Sequence, residues 1–276
     1  MKAILLAVSG FFLFTAMDIS IKWLLQSYSL VQVTFFNCFF ALIGLLIWIY
    51  PNFNSLKTAH PKIHFIRAAL IVVADLLAFY SYGQVPLAEA YSLLLTAPLF
   101  MVFFAVLMGY EKFSITRMIV SLLGFIGILL VLKPGYEVLD IALLAALGAA
   151  IIGTCSVLMV THYKANETPQ AFAFYGLCLL TIVSGIATLF NFTPMPMTDV
   201  IYSIGGGMCY AAASALVVTA FHLGRPSAIS SLQYTQLVWG LVLGYLIWNE
   251  LPDLLALIGG LIIILVGLCL IRLKAE

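Results

Sequence analysis

From Val85 to Glu111 the chain reads VPLAEAYSLLLTAPLFMVFFAVLMGYE. Between Pro86 and the closing Glu111 it carries one charged residue, Glu89. Its apolar body, residues 87–109, has the length of about 20 residues that a helix needs to cross the roughly 30 Å hydrocarbon core of a bilayer. The pattern returns in the second half of the chain, from Pro226 to Glu250, as PSAISSLQYTQLVWGLVLGYLIWNE. Proline opens both stretches, alanine follows two residues on, and glutamate closes them.

The rest of the chain has the same character. Of 276 residues, 64% are hydrophobic and only 8% are Asp, Glu, Lys or Arg. A water-soluble domain carries roughly 25% charged residues, so a cytosolic enzyme, a disordered chain and a secreted disulfide scaffold are all excluded. The formal net charge of +1 provides no basic field, and nucleic acid is not an expected partner. Cys38, Cys155, Cys178, Cys209 and Cys269 stand singly inside apolar runs, which is the placement of packing residues rather than of metal or redox pairs. No cofactor is expected. The first apolar run continues past Asp18 to Leu25, too long for a cleaved signal.

Ten spans fit the sequence, near 4–25, 30–50, 65–84, 87–109, 115–132, 139–162, 169–190, 198–222, 226–248 and 252–272. Turn residues and charge separate them, and no strand-like alternation suggests a barrel. The expected fold class is therefore an all-α polytopic membrane protein. Lys and Arg set its orientation. With the N-terminus inside, Lys2, Lys57, Lys62, Arg67, Lys112, Arg117, Lys164, Arg225, Arg272 and Lys274 are cytoplasmic. Lys133 and Lys22 remain for the outer side, so both termini are expected in the cytoplasm of a cell whose inner membrane holds the chain.

The two quoted stretches belong to a longer repeat with an offset of about 138 to 140 residues. Leu5-Leu6-Ala7 with Gly10 matches Leu143-Leu144-Ala145 with Gly148, and Gly127 matches Gly267. The expected units are residues 1–135 and 136–276, each of five spans. An odd number of spans inverts the second unit, so the expectation is two inverted five-helix repeats around a site near the bilayer midplane.

Those residues also carry a family resemblance. The run from Val85 through Pro98 to Tyr110-Glu111, with Trp248-Asn249-Glu250 as its counterpart, resembles the signature of the drug/metabolite transporter superfamily, EamA branch. The resemblance covers essentially the whole chain. It implies ten helices, a five-plus-five repeat and transport of metabolites: members export amino acids and other metabolites, or take up S-adenosylmethionine. This chain departs from the pattern with Leu237 where the first half has Pro98, and with Asn37 where many members carry arginine.

Charges inside the bilayer are the sharpest site signal, because each costs about 2.5–3.5 kcal/mol to insert. Asp18, Lys22, Asp75 and Glu89 qualify. Asp75 falls near the middle of its span and is the leading candidate for substrate binding and for proton or cation coupling. Asp18 shares both roles, with Lys22 one turn on and able to pair with it. Glu89 is a coupling candidate in the first turn of its helix, where a carboxylate also suits the dipole. Tyr82, Gln233, Gln236, Tyr210, Trp239 and Asn37 are the expected polar and aromatic substrate contacts. Pro98, which removes the hydrogen bond to the Leu94 carbonyl, is the expected hinge.

These features point to a secondary transporter of a small polar or zwitterionic metabolite. A channel or lipid scramblase is the alternative, and a membrane-embedded enzyme comes third, since no DDxxD, HExxH or CxxC occurs. No GxxxxGK[ST] loop is present, so ATP does not drive a single chain of this kind. The expected partners are a small-molecule metabolite and the lipid bilayer, with a homodimer left open.

Overall fold

Inside a bilayer an apolar run satisfies its backbone by forming a helix, and that is what these runs do. The computed structural model describes residues 2–107, 115–132, 140–163, 167–224, 229 and 231–272, and every regular element among them is helical. In chain order these are α1 (Lys2–Leu24), α2 (Leu30–Ile49), α3 (Pro61–Gln84), α4 (Leu87–Leu94), α5 (Ala97–Leu107) and α6 (Ile115–Leu132). There follow α7 (Ile141–Tyr163), α8 (Pro169–Thr188), α9 (Met197–Leu223), α10 (Thr235–Trp248) and α11 (Leu254–Arg272). Short 3₁₀ segments, Tyr50–Leu56 and Ser231–Tyr234, extend α2 and precede α10.

Among the described residues, six helical stretches are long and apolar enough to cross a membrane: α1, α2 with its extension to Leu56, α3, α7 through Val160, α8 and α9. Leu87–Met101 and Leu254–Val266 are shorter apolar stretches. The chain is a multi-pass helical membrane protein. Two expected spans take a different form. The fourth is not continuous: α4 ends at Leu94 and α5 starts at Ala97. Pro98 explains the break, since its ring cannot sit against the Leu94 carbonyl and it has no N–H to donate. Thr96 turns its hydroxyl onto the Leu93 carbonyl at 2.6 Å, and Thr154 of α7 reaches the Ala97 carbonyl at 3.2 Å. The ninth changes from 3₁₀ to α between Tyr234 and Thr235, at the offset of the sequence repeat; its expected start, 226–228, lies outside the described residues.

Small residues set how closely the helices approach. α9 packs antiparallel to α1 and also lies against α2. A Cβ on Gly207 would collide with the Asn37 carbonyl and the Ala41 amide of α2, and one on Gly206 with the side chains of Asn37 and Ser20. At Gly205, one residue earlier, there is open space. Ser20 donates to the Tyr202 carbonyl at 2.8 Å along the same seam.

The two ends of the bundle are tied differently. Where α1 ends, the Lys22 ammonium donates to the Val85 carbonyl at 3.0 Å and to Glu250 at 2.6 Å, and it lies 5.2 Å from the Trp248 ring. Glu250 is aimed there by Asn249, which ends α10 in the left-handed conformation, φ 55°, a geometry asparagine tolerates. At the same end Tyr28 donates to Asp199 at 2.6 Å, and Gln32 exchanges two hydrogen bonds with the Thr193 backbone.

At the opposite end a single carboxylate ties the α2–α3 connection to the start of α8. Glu167 accepts from the Thr58 hydroxyl at 2.7 Å and from the Ala59 and His60 amides at 3.1 Å. Its second oxygen lies 3.0 Å from His64 Nε2, with no side-chain surface exposed. Burial alone would raise the Glu167 pKa, but the hydrogen bonds from His64, Thr58 and the His60 amide outweigh it and hold the carboxyl below its ordinary value.

Candidate functional site

α3 carries the spine of the site. Starting at Pro61, whose missing N–H costs nothing at the first helical position, it places Arg67, Ile71, Asp75, Ala78 and Tyr82 three or four residues apart on one face. All five border a cavity of about 290 Å³ among α1, α3, α4, α7, α8, α9 and the start of α10. Asp18 comes from α1, Tyr91 from α4, Tyr210 and Ser214 from α9, and Gln233 and Gln236 from the segment leading into α10. Phe11, Phe14, Phe79, Phe172 and Phe221 supply the apolar wall.

Each acid in the cavity is held by a tyrosine. The Tyr91 hydroxyl donates to Asp18 at 2.6 Å, and Tyr82 meets the Tyr91 ring edge-on with centroids 5.8 Å apart. The Tyr210 hydroxyl donates to Asp75, and Phe14 tilts against the Tyr210 ring at 5.9 Å. Arg67 is the cavity's positive charge. It is 6% exposed, donates from one terminal nitrogen to the Phe172 carbonyl at 2.6 Å, and stacks over the Phe172 ring at 5.2 Å. Two carboxylates thus face one guanidinium among phenol rings and amides, an environment suited to a small polar molecule with cationic character.

Of the residues expected from the sequence, Asp18, Asp75, Tyr82, Tyr210, Gln233 and Gln236 are brought together here. Asn37 is fully buried between α2 and α9 and donates to the Val33 carbonyl at 3.0 Å. Trp239 is 36% exposed and packs edge-on against Phe12. Glu89 is half-buried in the first turn of α4. These three stand apart from the cavity wall. Pro98 lies immediately after the α4–α5 break. The available Asp18–Lys22 pair does not form, because Tyr91 takes Asp18 and Glu250 takes Lys22.

Two cavity residues escaped the sequence reading. A span begun at residue 65 leaves Arg67 at a cytoplasmic helix end. The helix in fact starts at Pro61, which puts Arg67 inside the span, eight residues from Asp75 on the same face. Tyr91 sits in the quoted stretch, but nothing local ties it to Asp18, 73 residues away.

The class is settled by these features: a multi-pass helical membrane protein with a polar cavity inside its bundle. The EamA-like transporter family model matches the chain twice, over residues 1–133 and 140–273, and the chain belongs to that family. It is 28% identical over 257 residues to the S-adenosylmethionine uptake transporter of Rickettsia bellii, covering 91% of this chain and 86% of the relative. A riboflavin transporter of Vibrio cholerae is 27% identical over 77% of this chain and 72% of its own length. The pseudopaline exporter CntI of Pseudomonas aeruginosa is 23% identical over 99% of this chain and 97% of its own. A solved crystal structure shares the fold at a TM-score of 0.70, with 16% identity, 99% of this chain and 97% of the other covered. The family and these relatives are transporters, not enzymes.

Proposed function

We propose that this chain is a secondary active transporter of a small polar or zwitterionic metabolite, an amino acid or S-adenosylmethionine, across the cytoplasmic membrane. Ten spans in two inverted halves, 1–135 and 136–276, work by alternating access, with both termini cytoplasmic. Asp75, Asp18, Tyr82, Tyr210, Gln233 and Gln236 contact the substrate, and Asn37 and Trp239 support them from the adjoining helices. Asp75, Asp18 and Glu89 are the carboxyls on which a proton or cation gradient acts, and Pro98 is the hinge.

The observation that carries this reading is the cavity, whose wall is drawn from both halves and holds two tyrosine-bound acids. Its wall runs from Asp18 toward the N-terminal turns of α3 and α8, while the opposite end is tied by Lys22 and Glu250. In the proposed orientation it faces the cytoplasm. S-adenosylmethionine suits the acids and aromatic rings through its sulfonium and ammonium groups, and the Rickettsia relatives carry that name.

Uptake into proteoliposomes tests the proposal. Labelled S-adenosylmethionine or an amino acid should enter saturably and be accelerated by the same compound on the far side. Asp75→Asn should abolish that flux while preserving a monodisperse protein. Non-saturable flux without trans-acceleration would instead indicate a channel.

A further inference from the structure

We propose that Arg67 is the carboxylate-binding residue of the cavity, which narrows the substrate to an amino acid with a free carboxylate and a second cationic group. This rests on the transporter reading above and deepens it. A guanidinium offers five N–H donors in a planar fork. Of these, one Nη1 N–H is spent on the Phe172 carbonyl, and Nε is buried with no partner. Among the described residues Arg67 has no ion-pair partner; the bridges formed are Lys22–Glu250 and His64–Glu167. A buried charge is costly unless it is paired. A fixed cation that no carboxylate touches directly, in a wall whose nearest fixed anion is Asp75 further along the same face, is therefore suited to an anion that comes and goes, and the fork matches a carboxylate in bidentate fashion.

Polarity reverses along the same helix face. Asp75 lies eight residues on, about 12 Å along the helix axis at roughly 1.5 Å per residue, and its side chain is close enough for its charge to act on Arg67. Beyond it Asp18 sits with Tyr91 and Tyr82. An amino acid fits this order with its carboxylate on Arg67, its ammonium toward Asp75 and a distal cation, such as an ammonium or sulfonium, on Asp18 among the phenol rings. A simple amine leaves Arg67 unpaired, and a neutral side chain leaves Asp18 without a cation.

Binding to the purified full-length protein is measured with compounds that differ in one group. S-adenosylmethionine is compared with its decarboxylated form, lysine with cadaverine, and S-adenosylmethionine with the uncharged thioether S-adenosylhomocysteine. In the native protein the carboxylate-bearing member of the first two pairs should bind at least about tenfold tighter, as a lost charge-assisted hydrogen bond requires. Arg67→Gln should erase that preference and leave the sulfonium preference intact; Asp18→Asn should do the converse. Equal binding of acid and amine by the native protein would overturn the proposal, and this comparison stands even where the variant fails to fold. A carboxylate preference that survives in Arg67→Gln would overturn it too. Transport of some other metabolite with no binding of these pairs would overturn the substrate class alone, whereas no carrier flux of any metabolite would fail the parent reading.

Discussion

Replacing Glu167 by alanine removes the carboxylate that joins the α2–α3 connection to α8. The cost follows from what is left behind. His64 is 2% exposed, its Nδ1 already lacks a partner, and losing Glu167 would strand Nε2 as well. Stranding a buried polar group costs about 1–3 kcal/mol. The Ala59 and His60 amides and the Thr58 hydroxyl lose the same acceptor, but these residues are partly or fully exposed, so water replaces much of that. A total of about 3 kcal/mol is expected, or a melting temperature lowered by roughly 6 °C for a chain of this size. Detergent-solubilised protein followed by intrinsic fluorescence or dye binding reports it. The pH dependence has a definite sign. Because folding depresses the Glu167 pKa below its ordinary 4.5, the carboxylate's contribution is complete above that value and is lost as pH falls through the lower, folded one. The native protein's advantage over Glu167→Gln should thus be full at pH 7 and shrink below about pH 4.5. An alanine variant melting within about 1 °C of native, far less than the roughly 6 °C expected, would show that Glu167 does not hold these segments together.

Lys22→Ala and Glu250→Ala, combined in a double-mutant cycle of melting measurements, should show a coupling of about 1–2 kcal/mol, as a half-buried charge-assisted bond gives; additive effects would deny the tie. Gly207→Ala should destabilise by about 1–3 kcal/mol because the intruding methyl meets α2 backbone, whereas Gly205→Ala, which points into open space, should be neutral in the same assay. Equal effects at the two glycines would contradict the seam. Gln32→Ala, which strips two hydrogen bonds from the Thr193 backbone, should lower stability by about 2 kcal/mol, read from the melting shift.

What was legible in the sequence follows from the range of the interactions involved. Apolar runs and the charges inside them are local signals, so Asp18 and Asp75 stood out before any geometry was known. A helix face is nearly local, and the α3 stripe is complete once the helix begins at Pro61. Partnerships between distant segments left no trace: Glu250 lies 228 residues from Lys22, so the nearer Asp18 looked like the natural mate. The break between α4 and α5 was legible through Pro98, but the corresponding change before Thr235 has no proline to announce it. Asn37 is open to two readings from sequence alone, since a buried amide on an apolar helix serves close packing against Gly206 just as well as it would a ligand.

The ratio of two acids to one arginine has an electrical consequence. With all three groups ionised, the empty cavity carries one net negative charge, and an amino acid bearing one extra positive charge cancels it. On the proposed reading the loaded protein then reorients as a neutral body, and the membrane potential acts on the empty one, at about 2.3 kcal/mol per charge per 100 mV if the full field is crossed. A negative cell interior pushes that empty, anionic cavity outward. Voltage would not act on the loaded carrier; it would turn the empty one to face outward.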